Sequence, residues 1–224
     1  MKSQSQQARA AIFAKLNAAP RQVKTDALPE WQAWQSSELS ERVERFVDCM
    51  KASHTEIHQV NAADLDSSLA QCLKDNDLQR VIFAKHCPWA DSVSAKCPDT
   101  TVIRYEKPIE TFKTTLFEEV DASINVIKGA IADTGTLAIV TGENEPRALS
   151  LVPPVHIAIL KESDIVSNFS ELMTSPFWTE ASWNTQPPTN LVLISGPSKT
   201  ADIQQTLAYG AHGPKRLILF LVEE

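Results

Sequence analysis

The stretch NLVLISGPSKTADIQQTLAYGAHGPKRLILFLVEE, residues 190–224, decides the fold predicted for this 224-residue chain. Two apolar runs, Leu191–Ile194 and Leu217–Val222, have the length and composition of buried strands. The segment between them is polar and closes with Gly210 and Gly213-Pro214, which are typical helix stops. Because a strand, a helix and a second strand form a right-handed crossover, the stretch predicts a parallel sheet.

The predicted helix begins after Gly196, with Ser198 and Thr200 as candidate N-caps. In parallel sheets ligands collect beyond the carboxyl ends of strands, and a helix N-terminus favours an anion there. We therefore predict a small-anion site, closed by His212 and formed by Ser195, Gly196, Pro197, Ser198, Lys199, Thr200 and Asp202. The alternative is that the hydroxyls only cap the helix and that His212 bonds helix carbonyls.

Earlier segments of the chain alternate between amphipathic helices and apolar strands. Apolar residues at helical spacing predict helices from Leu39 to Met50 and from Leu65 to Leu73. Ser163 is predicted to cap a further helix that carries Ile165, Phe169, Leu172 and Met173. Short apolar runs predict strands at Glu56–Val60, Arg80–Ala84, Thr101–Tyr105, Asn125–Lys128, Thr136–Val140 and Val155–Leu160. This alternation is typical of an α/β sheet with helices on its faces.

The chain is predicted to have two parts. Residues 1–35 predict an N-terminal helix and connector, with Ile12, Phe13 and Leu16 on the inward face of the helix. That interpretation is favoured over a transit peptide, because Pro20 ends the helix and serine is sparse. Residues 36–224 predict one α/β domain, in which the Pro- and Trp-containing segment Thr174–Thr189 is expected to be an irregular surface insert.

A second polar motif, ADTGT, places Asp133, Thr134 and Thr136 around Gly135. One interpretation is a tight turn into a strand, in which Asp133 bonds backbone N–H groups. The other is that Asp133 acts as a general base or orients a ligand hydroxyl, within a ligand-binding group made by these four residues. Arg147, in a polar turn, either pairs with a ligand carboxylate or phosphate or forms a salt bridge with a neighbouring glutamate. We predict that Asp133 and Arg147 both lie near the cleft of the anion site.

The composition disfavours several classes of protein. A net charge of −7 disfavours nucleic-acid binding, which needs basic patches. The four cysteines, Cys49, Cys72, Cys87 and Cys97, lack the paired spacing of iron–sulfur and zinc sites, so no cofactor and no metal is predicted. Free thiols in a reducing cytoplasm are favoured, although Cys87 and Cys97 flank one loop and a bond between them is the alternative. No apolar run reaches the ~18 residues of a membrane span.

No sequence motif in the chain identifies a reaction. The glycine-rich nucleotide loops and the nucleophile elbow do not occur, and no nucleophile–base pair is assignable. His156 lies inside an apolar strand, where a lone histidine is more often a core residue than a catalyst. The pair His54 and His58 lies at a predicted strand start, so the two rings are not expected to converge on one metal ion. The catalytic residues therefore stay unassigned.

Three segments together resemble the lactate-utilization (LUD) domain family, and its C-type members in particular: Ile131–Leu137, Pro146–Ile157, and Ser195–Ile203 with Gly210–Pro214. The opening ARAAIFAKLNAA is similar to the first helix of these proteins. The resemblance implies a three-layer α/β sandwich with a mostly parallel sheet, akin to sugar-phosphate isomerases and CoA transferases, with an N-terminal helical extension. It also implies a role in oxidising L-lactate to pyruvate with two iron–sulfur partner proteins.

The expected function is a cytoplasmic component of a lactate-oxidising system, whether catalytic or not. It is expected to bind a small carboxylate or phosphate, not to bind nucleic acid, and to have no membrane span. Two alternatives stay open: a stand-alone enzyme acting on a phosphorylated or CoA-linked small molecule, by fold analogy, or a module that senses a metabolite. Turnover by the isolated chain favours the first alternative, and tight binding without turnover favours the second.

Overall fold

The computed structural model describes residues 2–18, 32–143, 145–176, 188, 190–201 and 207–224. The chain divides into two compact units, Met1–Gln32 and Ala33–Glu224. The first unit contains helix α1 (Lys2–Ala18), where the sequence predicts a helix. Its side chains Ile12, Phe13 and Leu16 are exposed, so the prediction that they point inward is wrong. The described part of this unit holds a single helix, which leaves these side chains no second element of the unit to pack on.

The second unit contains the other elements. Its helices are α2 (Leu39–Ala52), α3 (Leu65–Asp75), α4 (Ala90–Lys96), α5 (Ile109–Glu118), α6 (Arg147–Leu151) and α7 (Phe169–Thr174). Its first strands are β1 (Glu56–Asn61), β2 (Arg80–Phe83), β3 (Thr101–Arg104), β4 (Ala122–Ile127), β5 (Ala130–Ile131) and β6 (Thr136–Val140). They are followed by β7 (Val155–Lys161), β8 (Ile165–Val166), β9 (Leu191–Ile194), β10 (Lys199–Ala201), β11 (Leu207–Tyr209) and β12 (Arg216–Glu223).

The larger sheet has six strands in the order β1-β12-β7-β4-β2-β3, and every pair in it is parallel. The strands predicted at these six places are confirmed. Side chains of β4, β7 and β12 are buried almost continuously, as expected for central strands that are covered on both faces. The α/β fold with a mostly parallel sheet is therefore confirmed.

Apolar side chains cover both faces of this sheet and create three layers. On one face, Leu69 and Leu73 of α3 belong to the cluster that contains Phe220 of β12. On the opposite face, Phe46 and Met50 of α2 pack with alternate residues of β7 and β12 and with β6. The predicted inward stripe of α2, Leu39, Val43, Phe46, Val47 and Met50, is confirmed at Phe46, Val47 and Met50, which are buried, whereas Leu39 is exposed. Burying each such side chain stabilises the fold by roughly 1.5–3 kcal/mol.

A second, four-stranded sheet, β8-β5-β6-β9, corrects the prediction for Leu191–Ile194. This segment is strand β9, but it pairs antiparallel with β6, with Leu191 opposite Val140. Strand β12 belongs to the larger sheet, so the predicted parallel crossover between the two segments is wrong. A short apolar run suits either sheet equally well, and its pattern does not say which one it joins.

The helix predicted after Gly196 is wrong in its described residues. Strand β10 pairs antiparallel with β11 there, with Thr200 opposite Ala208, and residues 202–206 lie outside the described residues. The first N–H groups of a helix have no backbone partner within the helix. Here, by contrast, the Ser198 N–H donates to the Pro214 carbonyl at 2.9 Å. Serine and threonine are favoured in turns as well as at N-caps, and β-branched threonine is favoured in strands.

The helix predicted from Ser163 begins six residues later. Ser163 lies in a 3-10 turn, Glu162–Asp164, and Ile165 lies in β8. Helix α7 begins at Phe169, where the Asn168 side chain accepts a hydrogen bond from the Glu171 N–H at 3.0 Å. Asparagine is as good an N-cap as serine, and it stands directly before the helical residues. Most of the predicted insert 174–189 lies outside the described residues.

Candidate functional site

A cavity of about 850 Å³ lies at the carboxyl ends of strands β4, β7 and β12. Ligands collect at this edge of parallel sheets, and the volume suits a small molecule. Apolar side chains such as Leu65, Trp89 and Leu172 form much of the wall. The charged and hydroxyl side chains of the wall are those of Lys128, Lys161, Ser163, Asp164, Ser175 and Glu224.

On this wall, one lysine forms an ion pair with a carboxylate and the other forms none among the described residues. Lys161 forms an ion pair with Glu224, which also accepts a hydrogen bond from Ser163 Oγ at 2.7 Å. The hydrogen bond between them raises the pKa of Lys161 and lowers that of Glu224. Burial raises the pKa of Asp164, and the positive charges of Lys161 and Lys128 oppose that rise. Lys128 is exposed and has no ion pair within the described residues, so its ammonium is available to a bound anion.

A buried amide and a carboxyl group lie close to Lys128. Asn125 of β4 donates from Nδ2 to Glu145 Oε2 at 2.5 Å, and its own Oδ1 is buried without a partner among the described residues. Burial raises the pKa of Glu145 to about 7, although the Asn125 hydrogen bond and the charge of Lys128 both lower it. A carboxyl group with a pKa near neutrality in a partly buried place is typical of acid–base sites. Lys128 lines the cavity, whereas Asn125 and Glu145 do not. We call the cavity, with Lys128, Asn125 and Glu145, the carboxyl-edge site.

The residues predicted as a site from the ADTGT motif lie elsewhere, against helix α2. Thr134 Oγ1 and Thr136 Oγ1 are 2.7 Å apart, and Thr136 Oγ1 lies 2.7 Å from Ser195 Oγ. Asp133 accepts a hydrogen bond from Arg45 of α2 at 2.6 Å. The structure therefore brings Asp133, Thr134, Thr136 and Ser195 together, and their polar groups bond one another and the protein.

Two glycines complete this group, and both are packed against α2. A Cβ on Gly135 stands 2.6 Å from Cys49 Cβ, and φ at Gly135 is +56°. A Cβ on Gly196 stands 2.9 Å from the Ser53 carbonyl oxygen, and φ there is +144°. Both glycines therefore allow a helix to approach closely and permit a backbone conformation that side chains disfavour. We call Asp133, Thr134, Gly135, Thr136, Ser195 and Gly196 the glycine–hydroxyl cluster.

The loop that begins at Ser195 lies at the amino ends of the larger sheet. Gly196 contacts Ser53, which precedes β1, and Ser198 bonds Pro214, which precedes β12. Lys215 in turn bonds the Pro154 carbonyl, directly before β7. The expectation that this loop lies beyond the carboxyl ends of the sheet is therefore wrong. The reason is that β9, which leads into the loop, belongs to the other sheet.

The remaining predicted residues differ in exposure. Lys199 and His212 are exposed, Pro197 and Thr200 are partly exposed, and Asp202 lies outside the described residues. Arg147 is the exposed first residue of α6, and no hydrogen bond or ion pair within the described residues joins it to Asp133. The structure thus does not bring Arg147 and Asp133 into one polar group.

Other candidate groups lie outside both of these places. His156 is fully buried, as predicted for a core residue, and burial lowers its pKa to about 4. Neither of its ring nitrogens has a hydrogen-bond partner among the described residues, so the expectation of a satisfied core histidine is wrong. Cys87 and Cys97 are buried free thiols. Within the described residues, His, Cys, Asp and Glu side chains form no group of three or more that could hold a metal ion. No helix of the described segments combines the length and apolarity needed to cross a bilayer.

Sequence reasoning missed the carboxyl-edge site. One signal was available, because Asn125 is an amide residue in the middle of a strand run that ends at Ile127 and whose other polar residue is Ser123. Lys128 directly follows that strand, at the edge where ligands collect. Glu145 carried no such signal, because its burial depends on how the turn before α6 folds over β4.

Comparison with known proteins places this chain among lactate-utilization relatives. The model of the LUD domain matches residues 43–222. An uncharacterized protein of Neisseria meningitidis serogroup B is 35% identical over 184 residues, covering 81% of this chain and 77% of that protein. Lactate utilization protein C of Halalkalibacterium halodurans is 28% identical over 178 residues, covering 76% and 74%. The protein of the same name from Deinococcus radiodurans is 27% identical over 219 residues and 96% of each chain.

One solved structure is similar in fold. The crystal structure of a DUF162 family protein from Deinococcus radiodurans superimposes with a TM-score of 0.62 at 24% identity. The match covers 84% of this chain and 99% of that chain. At this level of identity the likeness concerns the fold.

Proposed function

The chain belongs to the LUD domain family, and from that premise we propose that it is a cytoplasmic component of a lactate-utilization system that supports oxidation of L-lactate to pyruvate. The observation that carries the proposal is similarity along nearly the whole chain to a protein named lactate utilization protein C, at 96% coverage of both chains.

The ligand proposed is a small carboxylate, bound in the carboxyl-edge site. Lys128 supports this choice, because its ammonium stands on the cavity wall without an ion pair in the described part of the chain. One charge-assisted hydrogen bond contributes ~1.5–3 kcal/mol, so two of them suffice for a millimolar ligand at about −4 kcal/mol. The apolar wall around Trp89 suits the carbon skeleton of a small acid.

The glycine–hydroxyl cluster, with Arg147, Lys199 and His212, is kept as a second candidate for ligand contact. The observation in its favour is that Thr134 and Ser195 are exposed and present their hydroxyls at the surface. Titration of L-lactate against Ser195→Ala tests it: weaker binding supports this place, and unchanged binding removes it.

Two iron–sulfur proteins are the proposed partners. This chain supports such a division of labour, because its four dispersed cysteines have no paired spacing for a cluster of its own. Affinity purification of the chain from its own host under anaerobic conditions tests the assembly. Iron-containing partners that co-purify in fixed ratio are expected, and recovery of the chain without any iron-containing protein argues against it.

A stand-alone enzyme is the second candidate function, and one observation favours it. Glu145, which is hydrogen-bonded to Asn125 of β4, has a pKa of about 7, and this value suits a general acid or base. Assays of the isolated chain with phosphorylated and CoA-linked small acids distinguish the two candidates. Turnover of such a substrate by the pure chain favours the enzyme.

The direct test of the proposed function is genetic. Deletion of the gene in its own host is expected to abolish or strongly slow consumption of L-lactate as sole carbon source. Reintroduction of the wild-type gene is expected to restore it, and growth on a sugar serves as the control. Unchanged consumption of L-lactate in the deletion strain overturns the proposal.

A further inference from the structure

We propose that the cavity of the carboxyl-edge site binds 2-hydroxy acids whose side chain is larger than the methyl group of lactate, with an aromatic side chain preferred. In this arrangement Lys128 binds the carboxylate, and Trp89 is the specificity-determining residue for the side chain. The choice of a 2-hydroxy acid rests on the proposed function. The inference deepens that function by naming the class of acid and the residue that selects it.

The cavity is much larger than a lactate molecule. Its volume is about 850 Å³, whereas an apolar cavity of about 150 Å³ is already large enough to hold benzene. A three-carbon acid bound to Lys128 therefore leaves most of the space filled with water. A benzyl group in place of the methyl group fits into the same space together with the carboxylate.

Apolar side chains from two parts of the core line this space. One group belongs to, or packs against, the cluster on the α3 face of the larger sheet: Leu65, Trp89, Val126, Ile159 and Val222. Two other wall residues, Val166 and Leu172, are part of the small cluster formed with Ile131 and Ala138. An apolar group bound in the cavity therefore removes surface of both clusters from water, and this stabilises the complex.

Trp89 provides an aromatic ring on the wall. It follows β2, the strand that pairs with β4, and Lys128 directly follows β4. The ring and the ammonium group therefore come from the ends of neighbouring strands and face one cavity. The Trp89 side chain is partly exposed. Because pairs of aromatic rings attract each other by more than their buried area accounts for, a second ring is the favoured occupant beside it.

The charges of the wall suit an acid with one negative charge. Lys161 is paired with Glu224, so Lys128 is the wall cation that has no ion pair among the described residues. One ammonium group matches one carboxylate, whereas a phosphate dianion meets the negative charge of Asp164 without a second unpaired lysine. Asp164 instead provides an acceptor for the hydroxyl group of the acid.

Calorimetric titration of the full chain with a series of acids tests the proposal. The series is L-lactate, L-2-hydroxybutyrate, L-2-hydroxy-4-methylpentanoate and L-3-phenyllactate. Each added methylene group is expected to lower the Kd about fourfold, and L-3-phenyllactate is expected to bind about 30-fold more tightly than L-lactate. 2-Phenylethanol, which lacks the carboxylate, is expected to bind much more weakly than L-3-phenyllactate.

Two variants test the role of the ring. Trp89→Leu keeps an apolar side chain but removes the ring, so we expect about tenfold weaker binding of L-3-phenyllactate and an unchanged Kd for L-lactate. Trp34→Leu is the matched control, because Trp34 is also partly exposed but lies against Arg45 and not on the cavity wall. It is expected to leave both Kd values unchanged.

L-3-phenyllactate that binds no more tightly than L-lactate overturns the proposal, and so does a folded Trp89→Leu variant that keeps the wild-type preference. Absence of binding by every acid, or 2-phenylethanol that binds as tightly as L-3-phenyllactate, overturns it as well. The ligand series uses the wild-type chain, so it decides the matter even where Trp89→Leu does not fold. Each of these results leaves the deletion experiment untouched. Conversely, a preference for the aromatic acid in a chain whose deletion leaves L-lactate consumption unchanged removes the proposed function and keeps this site.

Discussion

The glycine–hydroxyl cluster and the carboxyl-edge site differ in their surroundings. In the cluster, Thr134, Thr136 and Ser195 bond one another, and Asp133 is paired with Arg45, whose Nε is buried without a partner in the described part of the chain. In the carboxyl-edge site, Asn125 Oδ1 likewise has no described partner, but a cavity lies next to Lys128, which forms no ion pair among the described residues. A dense polar motif packed against a helix can therefore serve packing, whereas an unpaired cation on a cavity wall favours a ligand.

The largest expected effect concerns the packing role of the cluster. Gly135→Ala places a Cβ 2.6 Å from Cys49 Cβ at a residue with φ of +56°, so both a clash and backbone strain result. We expect the variant to lose ~2–4 kcal/mol of unfolding free energy. Gly142→Ala is the matched control, because its Cβ meets nothing within 4 Å, and its stability is expected to change little. Urea denaturation measures both, and a Gly135→Ala variant as stable as wild type refutes the packing role.

The next prediction concerns stability at the carboxyl-edge site as a function of pH. The pKa of Glu145 is about 7 in the folded chain, against an ordinary 4.5, so the folded state holds a proton that the unfolded state has lost. Wild-type stability should therefore fall as the pH rises from about 4.5 through 7. Glu145→Gln removes this loss, and we expect it to be more stable than wild type by on the order of 1–3 kcal/mol at pH 8.

Urea titrations at pH 4.5 and pH 8 measure this difference. At the lower pH the two proteins are expected to have similar stability, because wild-type Glu145 is then protonated when folded. A difference that does not grow between the two pH values contradicts the raised pKa.

A somewhat smaller effect is expected from the charge of Lys128. Lys128→Met keeps the length and apolar stem of the side chain but removes the ammonium from the cavity wall. We expect L-lactate to bind about tenfold more weakly, which corresponds to ~1.4 kcal/mol. Lys74→Met, on the exposed face of α3, removes the same charge away from the cavity and should leave the Kd unchanged. Equal Kd values for the two variants would show that the wall cation does not bind the ligand.

The smallest effect is expected from Ser195, whose hydroxyl is the last in the series Thr134, Thr136 and Ser195. Ser195→Ala removes the partner of Thr136 Oγ1, which keeps its bond to Thr134. We expect a loss of ~0.5–1.5 kcal/mol in unfolding free energy, without a change in ligand affinity. Thermal unfolding and calorimetry on the same sample check both parts, and weaker ligand binding would move the site toward the cluster.

The sequence was sufficient to predict most of the larger sheet. Runs such as Leu217–Val222 and Val155–Leu160 are too continuously apolar for anything but central strands between two layers. The stripe from Leu39 to Met50 predicted helix α2, because its apolar residues recur at helical spacing. Leu191–Ile194 was assigned to the wrong sheet, because its partner β6 lies fifty residues away in the chain and no local pattern encodes that pairing.

The site was less predictable than the fold. Ser198 and Thr200 suit helix caps, turns and strands alike, so the helix inferred from them had no independent support. In the folded chain Thr200 pairs with Ala208, so this segment is a strand. Asn125 and Glu145 lie twenty residues apart, and their contact exists only once the turn before α6 covers β4. Unpaired polar atoms become visible only in a folded structure.

The most direct test of the account is an NMR titration of the isotope-labelled chain with L-lactate at pH 6. If the ligand binds at the carboxyl-edge site, the amide signals of Lys128, Gly129 and Asp164, which line the cavity, are expected to shift in a saturable way. The amides of Gly135 and Gly196 are expected to stay in place. Saturable shifts confined to Gly135, Gly196 and their neighbours, with Lys128 and Asp164 unmoved, would contradict the account.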